Sequence, residues 1–210
     1  MKKYLPAFFL AFIIACGSND KNENEKQPVS ADTDKPGAPP GTGKPAKAMF
    51  DIPAAKIDYR QTGGPDEGTE TLYFEDYGNT AVLVSNRKTK YEIINQAIIW
   101  KDGKSTMINH ENKTVTTSPF RPKATEAPSI ADLPEATRVS IGYEKLPDEM
   151  VAGKQCEVWQ NKQLNVTYWL WNRIEMKISN MGVYTREAES IKQMDAIPAA
   201  ILQIPPDYKK

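Results

Sequence analysis

The 210-residue chain carries one histidine and two cysteines. A zinc site built from several imidazoles or clustered thiolates is therefore excluded, as is a small scaffold stapled by several disulfides. Neither sign of charge is in excess, since 27 Lys+Arg stand against 27 Asp+Glu. Nothing in the bulk charge advertises nucleic acid as a partner, and none is expected. Long apolar runs are missing as well. The apolar run at 5–15 is 11 residues long, where a helical bilayer span needs about 20. No calcium loop with regularly spaced acids is visible, and no motif nominates a pair of catalytic carboxylates. No cofactor and no catalytic residue is expected.

What is present begins at the N-terminus. Lys2 and Lys3 precede the short apolar run, which ends Ile13-Ile14-Ala15-Cys16 before Gly17-Ser18. A basic start, a short apolar stretch and a small residue ahead of a cysteine resemble the signal peptide and lipobox of bacterial lipoproteins. That resemblance implies that 1–15 is removed and that Cys16 becomes a lipidated first residue. An ordinary signal peptide with a cysteine near its cleavage point is the plain alternative. Two or three acyl chains, at about 0.8 kcal/mol per buried methylene, anchor far more durably than one. The membrane, reached through lipid on Cys16, is thus the expected partner. Gly17 brings no acidic residue next to the anchor, which by proteobacterial sorting rules favours the outer membrane over the inner. Cleavage removes two lysines and turns a formal charge of zero into −2.

Residues 17–48 form a tether. Five prolines (Pro28, Pro36, Pro39, Pro40, Pro45) and mixed charges surround one large apolar side chain, Val29. Such a segment buries too little to offset its ordering entropy. As a flexible coil its 32 residues average about 30 Å end to end. A single domain is expected over 49–210, with 16–48 as lipidated cysteine and tether. Its strand-like runs are 55–61, 69–75, 80–86, 91–101, 104–109, 114–117, 139–143, 154–160, 163–171, 174–180 and 183–187, separated by Gly, Asn and Asp. Asp102-Gly103 is a strong hairpin signal. Helical signal is confined to 129–136 and 198–202.

Two runs carry apolar residues at both parities. In the first, Tyr91, Ile93, Ala97 and Ile99 oppose Ile94, Ile98 and Trp100; in the second, Leu164, Val166, Tyr168 and Leu170 oppose Trp169 and Trp171. A sheet wetted on one side alternates cleanly, so both faces of these strands must be covered. The pattern predicts a mainly antiparallel β fold of α+β class. The sheet is strongly curved into an open or closed barrel, with one or two short helices over its mouth.

Four motifs carry a family resemblance: Thr71-Leu72-Tyr73-Phe74-Glu75-Asp76-Tyr77-Gly78, Val151-Ala152-Gly153-Lys154-Gln155-Cys156-Glu157-Val158-Trp159, Val166-Thr167-Tyr168-Trp169-Leu170-Trp171, and the terminal Ile197-Pro198-Ala199 with Ile204-Pro205. Over 57–205 they resemble the bacterial domain-of-unknown-function 4412 family. The resemblance implies a lipoprotein-carrier (LolA/LolB-like) fold, an incomplete antiparallel barrel with helices closing its hollow. The Pro-rich stretch 119–134 lacks the pattern of a long closing helix.

The candidate residues are few. Cys156 with His110 is the one conceivable thiolate pair, but Cys156 shares parity with Val158 mid-strand and reads as a small core hydrophobe. His110 sits at a turn and is expected to be solvated. Trp169 and Trp171, with Trp100 and Tyr168, are either core aromatics or the lining of a cleft for an acyl chain or lipidated peptide. The expected function is a non-catalytic envelope lipoprotein binding such an apolar ligand. The alternative is a protein-interaction or structural module with a filled core.

Overall fold

The computed structural model describes residues 48–64, 67–119, 129–180 and 183–209. The leader, Cys16 and nearly all of the tether lie outside the described residues. Eleven strands form one sheet: β1 (Ala55–Thr62), β2 (Glu67–Glu75), β3 (Thr80–Lys88), β4 (Ile93–Lys101), β5 (Lys104–Asn109), β6 (Thr114–Pro119), β7 (Glu144–Val151), β8 (Lys154–Asn161), β9 (Val166–Trp171), β10 (Ile174–Asn180) and β11 (Tyr184–Gln193). Their spatial order is β6-β5-β4-β3-β2-β1-β11-β10-β9-β8-β7. The strand series therefore starts at the centre of the sheet and meanders outward to β6. It resumes at the opposite edge with β7 and meanders back until β11 pairs with β1, from Ala55↔Gln193 to Thr62↔Thr185.

Local chemistry sets the hairpins. Asp102-Gly103, Ala152-Gly153 and Asn172-Arg173 all have positive φ at both positions, the two-residue turn whose twist matches that of its strands. Closure into a barrel does not occur, because β6 and β7 remain the two edges. The outer strand β7 explains why. It holds Pro147 and four charged side chains, Glu144, Lys145, Asp148 and Glu149, and its pairing with β8 is irregular between Leu146 and Glu149. Proline, charge and bulges are what blunt an edge against further pairing. At the other edge, Val115 N–H donates to Lys209 O (2.7 Å), so the C-terminus covers the start of β6.

One expected strand is corrected. Residues 139–143 are not extended; α1 (Glu135–Ser140) and a turn occupy this stretch. Pro134 presets the backbone for a helix start, and its carbonyl accepts from Thr137 and Arg138 N–H. The β-branched Val139 was the misleading signal, and it lies exposed on the helix. The real strand, β7, follows at once but is exposed along nearly its whole length, so it shows no alternation to read. The two short helical signals correspond to Ile130–Asp132 plus α1 and to a 3-10 turn, Ala199–Leu202.

Both faces are packed over the later part of β4 and over β9, but not over the whole expected runs: Tyr91, Ile93 and Leu164, which belonged to the two-parity pattern, are exposed, and the strands begin only at Ile93 and Val166. Trp169 joins a large cluster with Ile57, Phe74, Cys156, Val158, Ile174 and Met176. Leu170 packs instead with Ile130, Ala131 and Trp159. On β4, Trp100 packs against the large cluster, whereas Ala97 and Ile99 join Val82, Ile108, Val115 and Ile197. The second face is covered by two segments rather than by curling alone. Residues 129–143 lie over β8 and β9, and 197–209 run over β3 to β6.

Candidate functional site

The expected aromatic positions separate into two groups. Trp169 is 9% exposed, its Nε1–H donates to Glu149 Oε2 at 2.8 Å, and the Lys177 ammonium stands 4.9 Å from its ring centroid. Trp171 and Trp100, both half-buried, pack against the same cluster from different strands. Tyr168 points to the other face, with its ring centroid 6.1 Å from that of Tyr143. Burial pushes its phenol up to about 12. The structure thus brings three tryptophans to one cluster and sets Tyr168 apart from them.

Cys156 is fully buried beside Val158, and burial pushes its thiol up to about 11. A nucleophilic cysteine needs the opposite shift. His110 differs from its expected solvated state. It is half-buried, and its Nδ1 lies 2.9 Å from the Tyr208 hydroxyl, fastening the C-terminal segment. Among the described residues no group of three or more His, Cys, Asp or Glu converges as a metal site would.

Sequence reasoning missed a buried polar network. The register sets Tyr59, Glu70 and Ser85 side by side on β1, β2 and β3. Glu70 accepts from Arg186 Nε (2.6 Å) and Ser85 Oγ (3.1 Å), with Arg87 Nε at 3.4 Å. The Arg186 guanidinium stacks 3.6 Å from the Tyr59 ring centroid, and burial pushes the Tyr59 phenol up to about 12. The signal was available: Gln61 and Arg186 occupy the parity of apolar Ile57, Tyr59 and Ala188. This carboxylate ties β2 to β3 and, across β1, to β11.

The antiparallel order also sorts the turns to two ends. Ala48 sits at the near end, where Arg173 Nη1 donates to its carbonyl (2.8 Å) and Asp51 N–H donates to Asn172 O (3.1 Å). The far end carries the β3–β4, β5–β6, β8–β9 and β10–β11 turns. Of nine exposed large hydrophobic side chains among the described residues, six stand there: Tyr91, Ile93, Val139, Ile141, Leu164 and Val183. Gly64 lets the β1–β2 turn approach the β10–β11 turn. A Cβ there would meet Val183 O at 2.4 Å, and its φ is +70°. Asn161 Nδ2 donates to Ile141 O (3.3 Å), holding the end of the α1 segment to the β8–β9 turn. Beside it opens a cleft of about 480 Å³ lined by Val139, Tyr143, Glu144 and Lys162.

No family model matches the chain, and no curated protein matches it. An uncharacterized conserved protein from Thermus thermophilus is 5% identical and superposes with a TM-score of 0.51, over 75% of this chain and 88% of that one. It shows the fold alone. MucB is 11% identical with a TM-score of 0.48, over 78% of this chain and 62% of that one. The Pseudomonas aeruginosa MucA/MucB complex gives 11% identity and a TM-score of 0.45, over 78% and 59%. These last two likenesses are too slight to carry an argument about function.

Proposed function

We propose that the protein is a non-catalytic lipoprotein of the bacterial envelope, anchored through Cys16, whose β-sheet domain binds another protein by its far end. The observation that carries this reading is that six of the nine exposed large apolar side chains among the described residues stand on the turns at the far end of the strands. Exposed apolar side chains set among polar turns are what a protein-binding surface presents. No described helix is long and apolar enough to cross a membrane.

A photo-reactive residue at position 164 in living cells should trap a defined protein, and one at position 101, on the near end, should not. Equal adducts from both positions would overturn the reading. Anchoring has its own test: intact mass should show acyl chains on Cys16, and Cys16→Ala should release the protein from membranes. The reading with an acyl chain against Trp169 and Trp171 has less support, because Trp169 is packed and its N–H is bonded to Glu149. Native mass spectrometry of protein extracted from its membrane would restore it by showing a retained lipid.

A further inference from the structure

We propose that the free stretch of β6 is a docking edge for an extended segment of another polypeptide, which joins the sheet as an added strand parallel to β6. The two edges of the sheet are unlike. β7 is blunted by proline, charge and an irregular ladder, whereas β6 pairs with β5 without a break from Asn109↔Thr114 to Lys104↔Pro119. The sequence of β6, Thr-Val-Thr-Thr-Ser-Pro, holds no charge, and Thr116, Thr117, Ser118 and Pro119 are all exposed. An uncharged, β-branched edge is a template to which a further strand adds.

Hydrogen bonds already on the edge fix what it offers. Lys209 N–H donates to Lys113 O (2.9 Å) and Val115 N–H donates to Lys209 O (2.7 Å), so the odd-numbered residues of β6 turn their peptide groups outward. By the alternation of a regular ladder Thr117 does the same, and among the described residues no backbone group meets it there. Lys209 lies parallel to β6, opposite Thr114. A segment continuing that line has a residue opposite Thr116 that donates to Val115 O and accepts from Thr117 N–H. Its residue opposite Ser118 donates to Thr117 O. A second copy of this chain fits poorly. An antiparallel β6 centred on Thr117 sets Pro119, which has no N–H, against Val115, whose own N–H is engaged by Lys209. Neighbouring side chains state the chemistry of the occupant. The residue opposite Thr117 lies beside the Thr106–Thr117 hydroxyl pair (3.1 Å), which suits a hydroxyl or β-branched side chain. The residue opposite Pro119 faces, across that proline, the exposed Lys104, which suits an acid. The partner segment is therefore short and extended, β-branched at its centre and acidic at its C-terminal end.

The test is a titration of the ¹⁵N-labelled full chain with the peptide acetyl-Val-Thr-Val-Glu-amide, read by backbone amide shifts. The Thr117 amide should move with a Kd of about 1 mM, while the amides of β7 stay put. Thr117→Pro removes the outward N–H and spares the ladder to β5. It should keep the melting temperature and weaken binding about tenfold. A peptide N-methylated at its first valine loses the bond to Val115 O and should bind the parent protein as poorly, which tests the same edge without a variant. Lys in place of the terminal Glu should weaken binding about threefold. Leu164→Glu, at the far-end surface, should change nothing, so the two surfaces are tested separately. The proposal falls if the Thr117 amide does not move, or if the N-methylated peptide binds as well as its parent. Self-association of the full chain that Thr117→Pro abolishes would make a second copy the occupant and would also overturn it.

Discussion

The two wings of the sheet are covered in different ways. Over β8 and β9, residues 129–143 are clasped by charge: Arg138 to Glu157, Arg173 to Asp132, and Ser129 Oγ to Glu175 (2.6 Å). Over β3 to β6, the C-terminal segment is held by Ile197, Ile201, Leu202 and Tyr208 on an apolar cluster. Its hydrogen bonds include Ile197 N–H to Glu75 (2.8 Å) and Tyr208 to His110. The first cover crosses strands that carry Glu157 and Glu175 on the covered face, so it must satisfy charge. The second lies on Val82, Ala97 and Ile99, which ask only for apolar area. Cover chemistry follows the face beneath it.

The largest effect expected from breaking this contrast is at Trp159. Its ring is fully buried beneath the charged cover, with the Arg138 guanidinium 4.9 Å from its centroid and its N–H donating to Glu157. Trp159→Ala should cost about 3–5 kcal/mol in urea denaturation. A loss under about 1 kcal/mol would mean that the cover is not packed.

Arg138→Ala comes next, at about 1–2 kcal/mol, because its partner Glu157 is half exposed and solvent screens part of the loss. The same cover should answer to acid. Burial raises the Glu157 carboxyl, but hydrogen bonds from Trp159 and Arg138 overcome it and leave the pKa lowered. Its contribution is therefore present above the unfolded value and fades as pH falls through the folded one. Hydrogen exchange should show 129–143 loosening on acidification below about pH 4.5 in the parent but not further in Arg138→Ala. Identical acid profiles in the two proteins would assign the sensitivity elsewhere.

Tyr208→Phe sharpens the contrast from the other side. Loss of one part-buried hydroxyl contact to His110 should cost about 0.5–1.5 kcal/mol and should be insensitive to salt. A marked salt dependence would place this cover in the charged class too. The smallest perturbation expected is at Cys156, whose thiol is pushed up to about 11 by burial. Thiol reagents at neutral pH should label it only as fast as the domain opens. Rapid labelling of the folded protein would show that this part of the core is loose.

Much was legible before any coordinates. A positive-φ dipeptide declares itself in sequence, so Asp102-Gly103 located a hairpin without help from distant residues. Side-chain period two declared that the later part of β4 and β9 are covered twice, and mid-strand parity placed Cys156 in the core. The tertiary structure alone decided the rest. The pairing of β1 with β11 joins chain segments more than a hundred residues apart, as does the Glu70–Arg186 bond at a separation of 116. Which tryptophan is buried, which turns share an end of the sheet and which polar groups meet around Glu70 all follow from that pairing. Turn geometry and parity are properties of a few consecutive residues, whereas a site is an adjacency of segments that only long-range strand order creates.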